Sequence, residues 1–244
     1  MSKTLLILGA RSDIGQAVAH EFARNGFDII LAARNSETLS TTRSDLEIRY
    51  QVKAYLAEFD ASKYNTHPEF YSKLPVKPEV ALYAIGYLGD HKAGEKGWSG
   101  IEKVISANYS GGISILSVIA NDFESRNEGT IIGISSVAGE RGRQSNYLYG
   151  SAKAGFTTFL AGLRHRLAKT NVNVLTVKPG FVATKMTEGM PLPKRLTAQP
   201  EQLAKAIFKA YNGKKYTLYY FPIWRLIMFV IRNVPESIFV KTKL

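Results

Sequence analysis

A chain of 244 residues, 45% of them hydrophobic, is long enough to bury one large core, which excludes a disordered or collagen-like polymer. It has no cysteine, so it carries no disulfide framework, zinc–thiolate site or cysteine nucleophile, and this fits a reducing compartment such as the cytosol. A formal charge of +12 favours contact with something anionic: nucleotide phosphate, nucleic acid or a membrane face.

The first apolar run, Leu5 to Leu8, stops at Gly9 and is too short for a secretory signal. From there short apolar runs alternate with helical periodicity. The pattern predicts strands at Thr4–Leu8, Asp28–Ala32, Lys53–Glu58, Val80–Ile85, Thr130–Ser135, Val172–Val177 and Tyr216–Phe221. Between them it predicts helices at Ile14–Asn25, Glu37–Ile48, Tyr64–Lys73, Ile101–Glu124, Leu148–Lys169 and Pro200–Tyr211. This alternation predicts a single α/β domain, doubly wound in the Rossmann manner: a seven-stranded parallel sheet with helices on both faces. Residues 1–221 form it, and 222–244 are an amphipathic tail of the same domain. Lys185 to Gln199 breaks the rhythm and is expected to cover a site. The longest apolar run in the tail, Leu226 to Ile231, is far below the roughly 18 residues needed to span a bilayer.

The first strand runs into Gly9-Ala10-Arg11-Ser12-Asp13-Ile14-Gly15 and then directly into a helix. Glycine there lets a backbone approach phosphate closely, and a helix N-terminus attracts the anion; a tight strand–helix connection alone would use the same residues. The second strand ends in Arg34, without the acid that would accept the ribose hydroxyls of NAD. Arg34 and Arg11 suit the extra 2′-phosphate of NADP, so NADP(H) is favoured and NAD(H) remains the alternative.

Ser136 follows the fifth strand, and Tyr149 and Lys153 stand one turn apart at the head of the next helix. Chance yields about one Tyr-x3-Lys in a chain of this composition, and a second pair occurs at Tyr211 and Lys215. Only the first follows a strand-end serine and opens a helix. A free phenol, with its pKa near 10, is a feeble acid–base catalyst at neutral pH, and a neighbouring ammonium lowers it. Lys153 is expected to do so for Tyr149, with Ser136 orienting the substrate oxygen.

In their order along the chain these motifs resemble the short-chain dehydrogenase/reductase family. The resemblance implies that the turn residues Gly9, Arg11, Ser12, Asp13, Ile14 and Gly15, with Arg34, Ala84, Gly86, Pro179 and Gly180, hold the cofactor. It further implies that Asp60 contacts adenine, Val182 and Thr184 meet the nicotinamide amide, and Asn108 supports a water relay to Lys153. Two positions depart from the family pattern: Asp13 replaces the middle glycine of the turn, and Tyr83-Ala84-Ile85-Gly86 stands for Asn-Asn-Ala-Gly. The lost asparagine contacts must be replaced, and Tyr83 reads as packing.

Residues 85–90, 138–146 and 232–239, with Asp13, resemble a subgroup of that family, the reductases of the decaprenylphosphoryl-ribose 2′-epimerase system of cell-envelope biosynthesis. That implies reduction of the 2-keto group of a polyprenyl-phosphate-linked pentose, after a flavoenzyme partner has oxidised it. It also implies a membrane surface. In the tail, Trp224, Ile227, Met228 and Ile231 recur at helical spacing, Phe229 and Val230 broaden the face, and Arg225, Arg232, Lys241 and Lys243 add charge. Such a helix suits peripheral contact with the cytoplasmic membrane face; packing on its own core or on another subunit of a homo-oligomer is the competing reading. Arg141 and Arg143 would steer a lipid phosphate or stand solvated.

Three rival functions remain: a generic carbonyl or ketoacyl reductase for soluble substrates, a module that binds NADP without turnover, and nucleic-acid binding. The second has no use for a proton donor. The third finds dispersed charge and no recognised motif, so no nucleic-acid partner is expected. His20, His67, His91 and His165 are isolated in sequence, and no metal is expected.

Overall fold

A computed structural model describes residues 2–242; Lys243 of the tail's basic set lies outside them. The first half of the chain runs β1 (Thr4–Leu8), α1 (Asp13–Arg24), β2 (Asp28–Ala33), α2 (Ser40–Tyr50), β3 (Ala54–Glu58), α3 (His67–Ser72), β4 (Val80–Tyr83), α4 (His91–Lys96), α5 (Trp98–Ile105) and α6 (Gly111–Arg126). It continues β5 (Gly129–Ile134), α7 (Tyr147–Arg166), β6 (Val172–Pro179), β7 (Phe181–Val182), β8 (Thr197–Ala198), α8 (Pro200–Asn212), β9 (Thr217–Tyr220), α9 (Ile223–Asn233) and α10 (Glu236–Phe239).

Seven strands make one parallel sheet in the order β3-β2-β1-β4-β5-β6-β9. Strand β1 lies near its centre and is buried at every position, as a strand covered on both faces must be. Its alternate side chains enter two cores. Leu5 and Ile7 pack with Val18 and Phe22 of α1 and Leu203 and Ile207 of α8. Leu6 and Leu8 pack with Ile115 and Ile119 of α6 and Phe156 and Leu160 of α7. From β1 the chain builds outward to β3, then crosses back to β4 on the other side of β1. That reversal opens a crevice beyond the carboxyl ends of β1 and β4.

Two features near the site depart from the sequence pattern, and in the tail the structure takes one of the two readings the sequence left open. The expected continuous helix over Ile101–Glu124 is interrupted by a π-helical turn at Ser106–Ser110. There Asn108 Nδ2 donates to the Val104 carbonyl four residues back, competing for an acceptor of the regular helical ladder. Strands β7 and β8 form a separate small parallel ladder that frames the covering segment (Phe181↔Thr197, Val182↔Ala198). The tail helix α9 turns its Trp224 and Met228 inward onto Val137, with Ile227, Ile231, Phe181 and Tyr219 beside them. The face selected by spacing therefore packs on the chain's own core, and the exposed apolar set is Ile223, Leu226, Phe229 and Val230.

Candidate active site

The glycine turn sits at the crevice. Gly9 has φ +97°, and an added Cβ would lie 2.7 Å from the Ile85 side chain, so only glycine is accommodated. Ser12 caps α1: its Oγ accepts from the Gly15 amide at 3.0 Å and donates to the Gly9 carbonyl at 2.8 Å. The cap fixes the N-terminal end of α1, with its positive dipole, at the mouth of the crevice. Asp13 opens the helix, and its carboxylate accepts from the Lys185 backbone amide at 2.8 Å.

A neighbouring polar depression of about 430 Å³ is bordered by Arg11, Arg34, Lys63, Glu58 and Asp60. Burial opposes ionisation of Asp60, but the amide and hydroxyl of Ser62 and the nearby Arg34 prevail and hold its carboxyl below the usual range. The backbone amides of Ser36 and Asn35 do the same for Glu58. Arg34 is exposed, and its carbonyl lies 3.5 Å from an Arg11 guanidinium nitrogen.

Strand β5 delivers Ser136 to a 3-10 turn, Val137–Gly139, where its Oγ accepts from the Ala138 amide at 3.1 Å. Tyr149 and Lys153 face it from α7. Lys153 is 2% exposed; its Nζ lies 5.7 Å from the centre of the Tyr149 ring and donates to the Ile134 carbonyl at 2.9 Å. Burial pushes Tyr149 up to about 12, against the effect of the Ser136 hydroxyl, and pushes Lys153 down to about 7. The expected lowering of the phenol by the ammonium is therefore not seen: desolvation dominates at both groups, and among the described residues no carboxylate pairs with Lys153.

These residues line one cavity of about 280 Å³. Arg11, Ser12, Asp13 and Ile14 form one wall, and Ala84, Gly86, Ser136, Tyr149 and Lys153 the other; Pro179, Gly180, Val182 and Thr184 complete it. Gly9 and Gly15 stand behind the first wall as its backbone scaffold. Arg34 and Asp60 lie in the adjoining depression, which shares Arg11 with the cavity. Asn108 does not line the cavity. It is fully buried, with Nδ2 donating to the Tyr87 carbonyl at 2.6 Å and Oδ1 accepting from the Tyr87 amide at 3.2 Å. That clamp holds the chain just after Gly86, where a Cβ would lie 3.2 Å from Asn108 Oδ1 and 3.7 Å from Lys153 Nζ. Tyr83 is buried, and its hydroxyl donates to the Ala107 carbonyl at 2.8 Å, tying β4 to the π-turn where the family pattern has asparagine.

The cavity also has lining residues that motif reading missed: Ile85, Ile134, Ser135, Lys185, Met186 and Thr187. The break in rhythm at Lys185 signalled the segment without identifying the side chains. Arg141 is committed elsewhere. Its guanidinium donates to the Ile231 and Val234 carbonyls and pairs with Glu236 at 2.6 Å, so it closes the end of α9.

A doubly wound parallel sheet with a glycine turn at its reversal point, and a serine, tyrosine and lysine converging beyond the carboxyl edge, defines a nucleotide-dependent oxidoreductase. The chain belongs to the short-chain dehydrogenase family, whose model matches residues 3–194. It is similar to an uncharacterised oxidoreductase of Mycobacterium tuberculosis, 35% identical over 215 residues covering 86% of each protein. It is also similar to an NADP-dependent 3-hydroxy acid dehydrogenase of Schizosaccharomyces pombe, 29% identical over 190 residues, 76% of this chain and 73% of that protein. A short-chain dehydrogenase from Sphingobium yanoikuyae, solved in complex with NADPH, has the same fold: TM-score 0.82 at 20% identity, covering 96% of this chain and 97% of that one.

Proposed function

We propose that this enzyme reduces a keto group to an alcohol with NADPH. The observation that carries the reading is the convergence of Ser136, Tyr149 and Lys153 on the cavity that the glycine turn also lines. The turn and the head of α1 would hold the pyrophosphate, and Val182 and Thr184 the nicotinamide end. Bound there, the cofactor supplies a hydride to the carbonyl carbon. Ser136 donates a hydrogen bond to the carbonyl oxygen, Tyr149 gives that oxygen its proton, and Lys153 stabilises the phenolate left behind. Asn108, clamped on Tyr87 behind the cavity wall, would support a water relay that returns the proton through Lys153.

NADPH would be preferred over NADH because Arg11, Arg34 and Lys63 outnumber Glu58 and Asp60 around the depression, where Asp60 would meet the adenine. The NADP dependence named for the fission-yeast relative and the NADPH in the Sphingobium structure support this reading.

The substrate we favour is the 2-keto group of a pentose on a polyprenyl phosphate, supplied by a flavoenzyme that oxidises the sugar. Residues 85–90, 138–146 and 232–239 support it by resemblance. The exposed Ile223, Leu226, Phe229 and Val230, near the exposed Arg225, Arg232 and Lys241, supply a surface for peripheral contact with an anionic membrane. No helix among the described residues is long and apolar enough to cross one. The test is NADPH oxidation with a polyprenyl-phosphate-linked keto-pentose against simple ketones. Faster turnover of the lipid-linked sugar is expected; equal rates would reduce the assignment to a generic carbonyl reductase.

A further inference from the structure

We infer that Asp13 is a positioning residue that holds the covering segment over the active-site cavity before any cofactor does so. This inference rests on the cofactor site proposed above. The segment leaves β7 through a compact turn: Thr187 Oγ1 donates to the Val182 carbonyl at 2.7 Å, and the Thr184 amide donates to Thr187 Oγ1 at 3.1 Å. These bonds leave the Lys185 amide pointing outward, and it donates to Asp13 Oδ2, a group 172 residues earlier in the chain. At its far end the segment is anchored by Val182↔Ala198 in the β7–β8 ladder. Asp13 therefore ties this turn at the near end to the head of α1. It lines both the cavity that holds Tyr149 and the one beneath Glu188 to Gln199.

A carboxylate is costly at this position. It sits in the first turn of the helix whose N-terminus is to receive phosphate, and like charges repel. The glycine of the family pattern has no side chain and can make neither the repulsion nor the bond. In this chain the carboxylate supplies an acceptor that keeps Lys185, Met186 and Thr187 against the cavity wall, so that binding need not order them.

Limited trypsin digestion of the full chain without added cofactor tests this, because Lys185, Lys194 and Arg195 lie in the segment. Asp13→Gly should be nicked there about tenfold faster than the native chain. Asp13→Asn, whose amide oxygen still accepts, should stay close to native. Lys185→Pro removes the donor and leaves α1 untouched, so cleavage after Lys194 and Arg195 should rise as in Asp13→Gly. NADPH titrations by fluorescence should then rank Asp13→Asn as the tighter binder and Asp13→Gly as several-fold weaker than Asp13→Asn, since ordering now falls on the cofactor. Native-like nicking of both Asp13→Gly and Lys185→Pro, or equal nicking of Asp13→Asn and Asp13→Gly, overturns the inference. Failure of the native chain to bind NADPH overturns the cofactor reading and leaves the digestion contrast intact.

Discussion

Lys153 shows what burial does to a single group. Among the described residues its Nζ meets the Ile134 carbonyl and no carboxylate, and burial takes it down to about 7 from about 10.4 in an unfolded chain. Across that window the unfolded chain binds a proton that the folded chain does not, so stability rises with pH; below about 7 both forms are protonated and the cost of a buried charge is present in full. Lys153→Met should therefore melt above the native protein at pH 7, and scanning calorimetry without cofactor should show that gap narrowing toward pH 10. A gap independent of pH would contradict the burial account. The convergence of Ser136, Tyr149 and Lys153 on one cavity was legible in the sequence because context separated Tyr149 and Lys153 from Tyr211 and Lys215. The partners of Asp13 and Asn108 were not, because Lys185 and Tyr87 are distant in sequence and follow no spacing rule.

The strands were the most legible elements, since buried parallel strands read as continuous apolar runs; β1 spans the residues predicted for it. The break between α5 and α6 was hidden, because a π-turn arises from hydrogen-bond competition and leaves no gap in periodicity. In α9 the periodicity was visible but its direction was not. Trp224 is aimed inward by what it meets: an added Cβ on Gly180 would fall 2.0 Å from its Nε1, so the indole lies directly on the glycine after β6. The outward side chains Leu226 and Phe229 are each 59% exposed, so aspartate there should leave the fold intact while removing apolar contact. The native chain should float with phosphatidylglycerol vesicles, and Leu226→Asp/Phe229→Asp should not. Equal flotation of the two proteins would show that α9 makes no membrane contact.

At the scale of the whole molecule, topology does the assembling. Reversal of strand order between β1 and β4 brings the turn after β1, Gly86 after β4 and Ser136 after β5 to one edge, and α7 lays Tyr149 and Lys153 against it. Motif order along the chain foretold this gathering, because each motif follows a strand end. The fit of the covering segment and tail depends on contacts between distant segments and emerged only in three dimensions. Tyr149 is the proposed proton donor in hydride transfer to a carbonyl. The most direct test of that role is the rate of NADPH consumption by Tyr149→Phe at a cofactor occupancy matched to the native enzyme. A loss of at least about a hundredfold with cofactor affinity preserved is the predicted result; a rate within twofold of native would contradict the account.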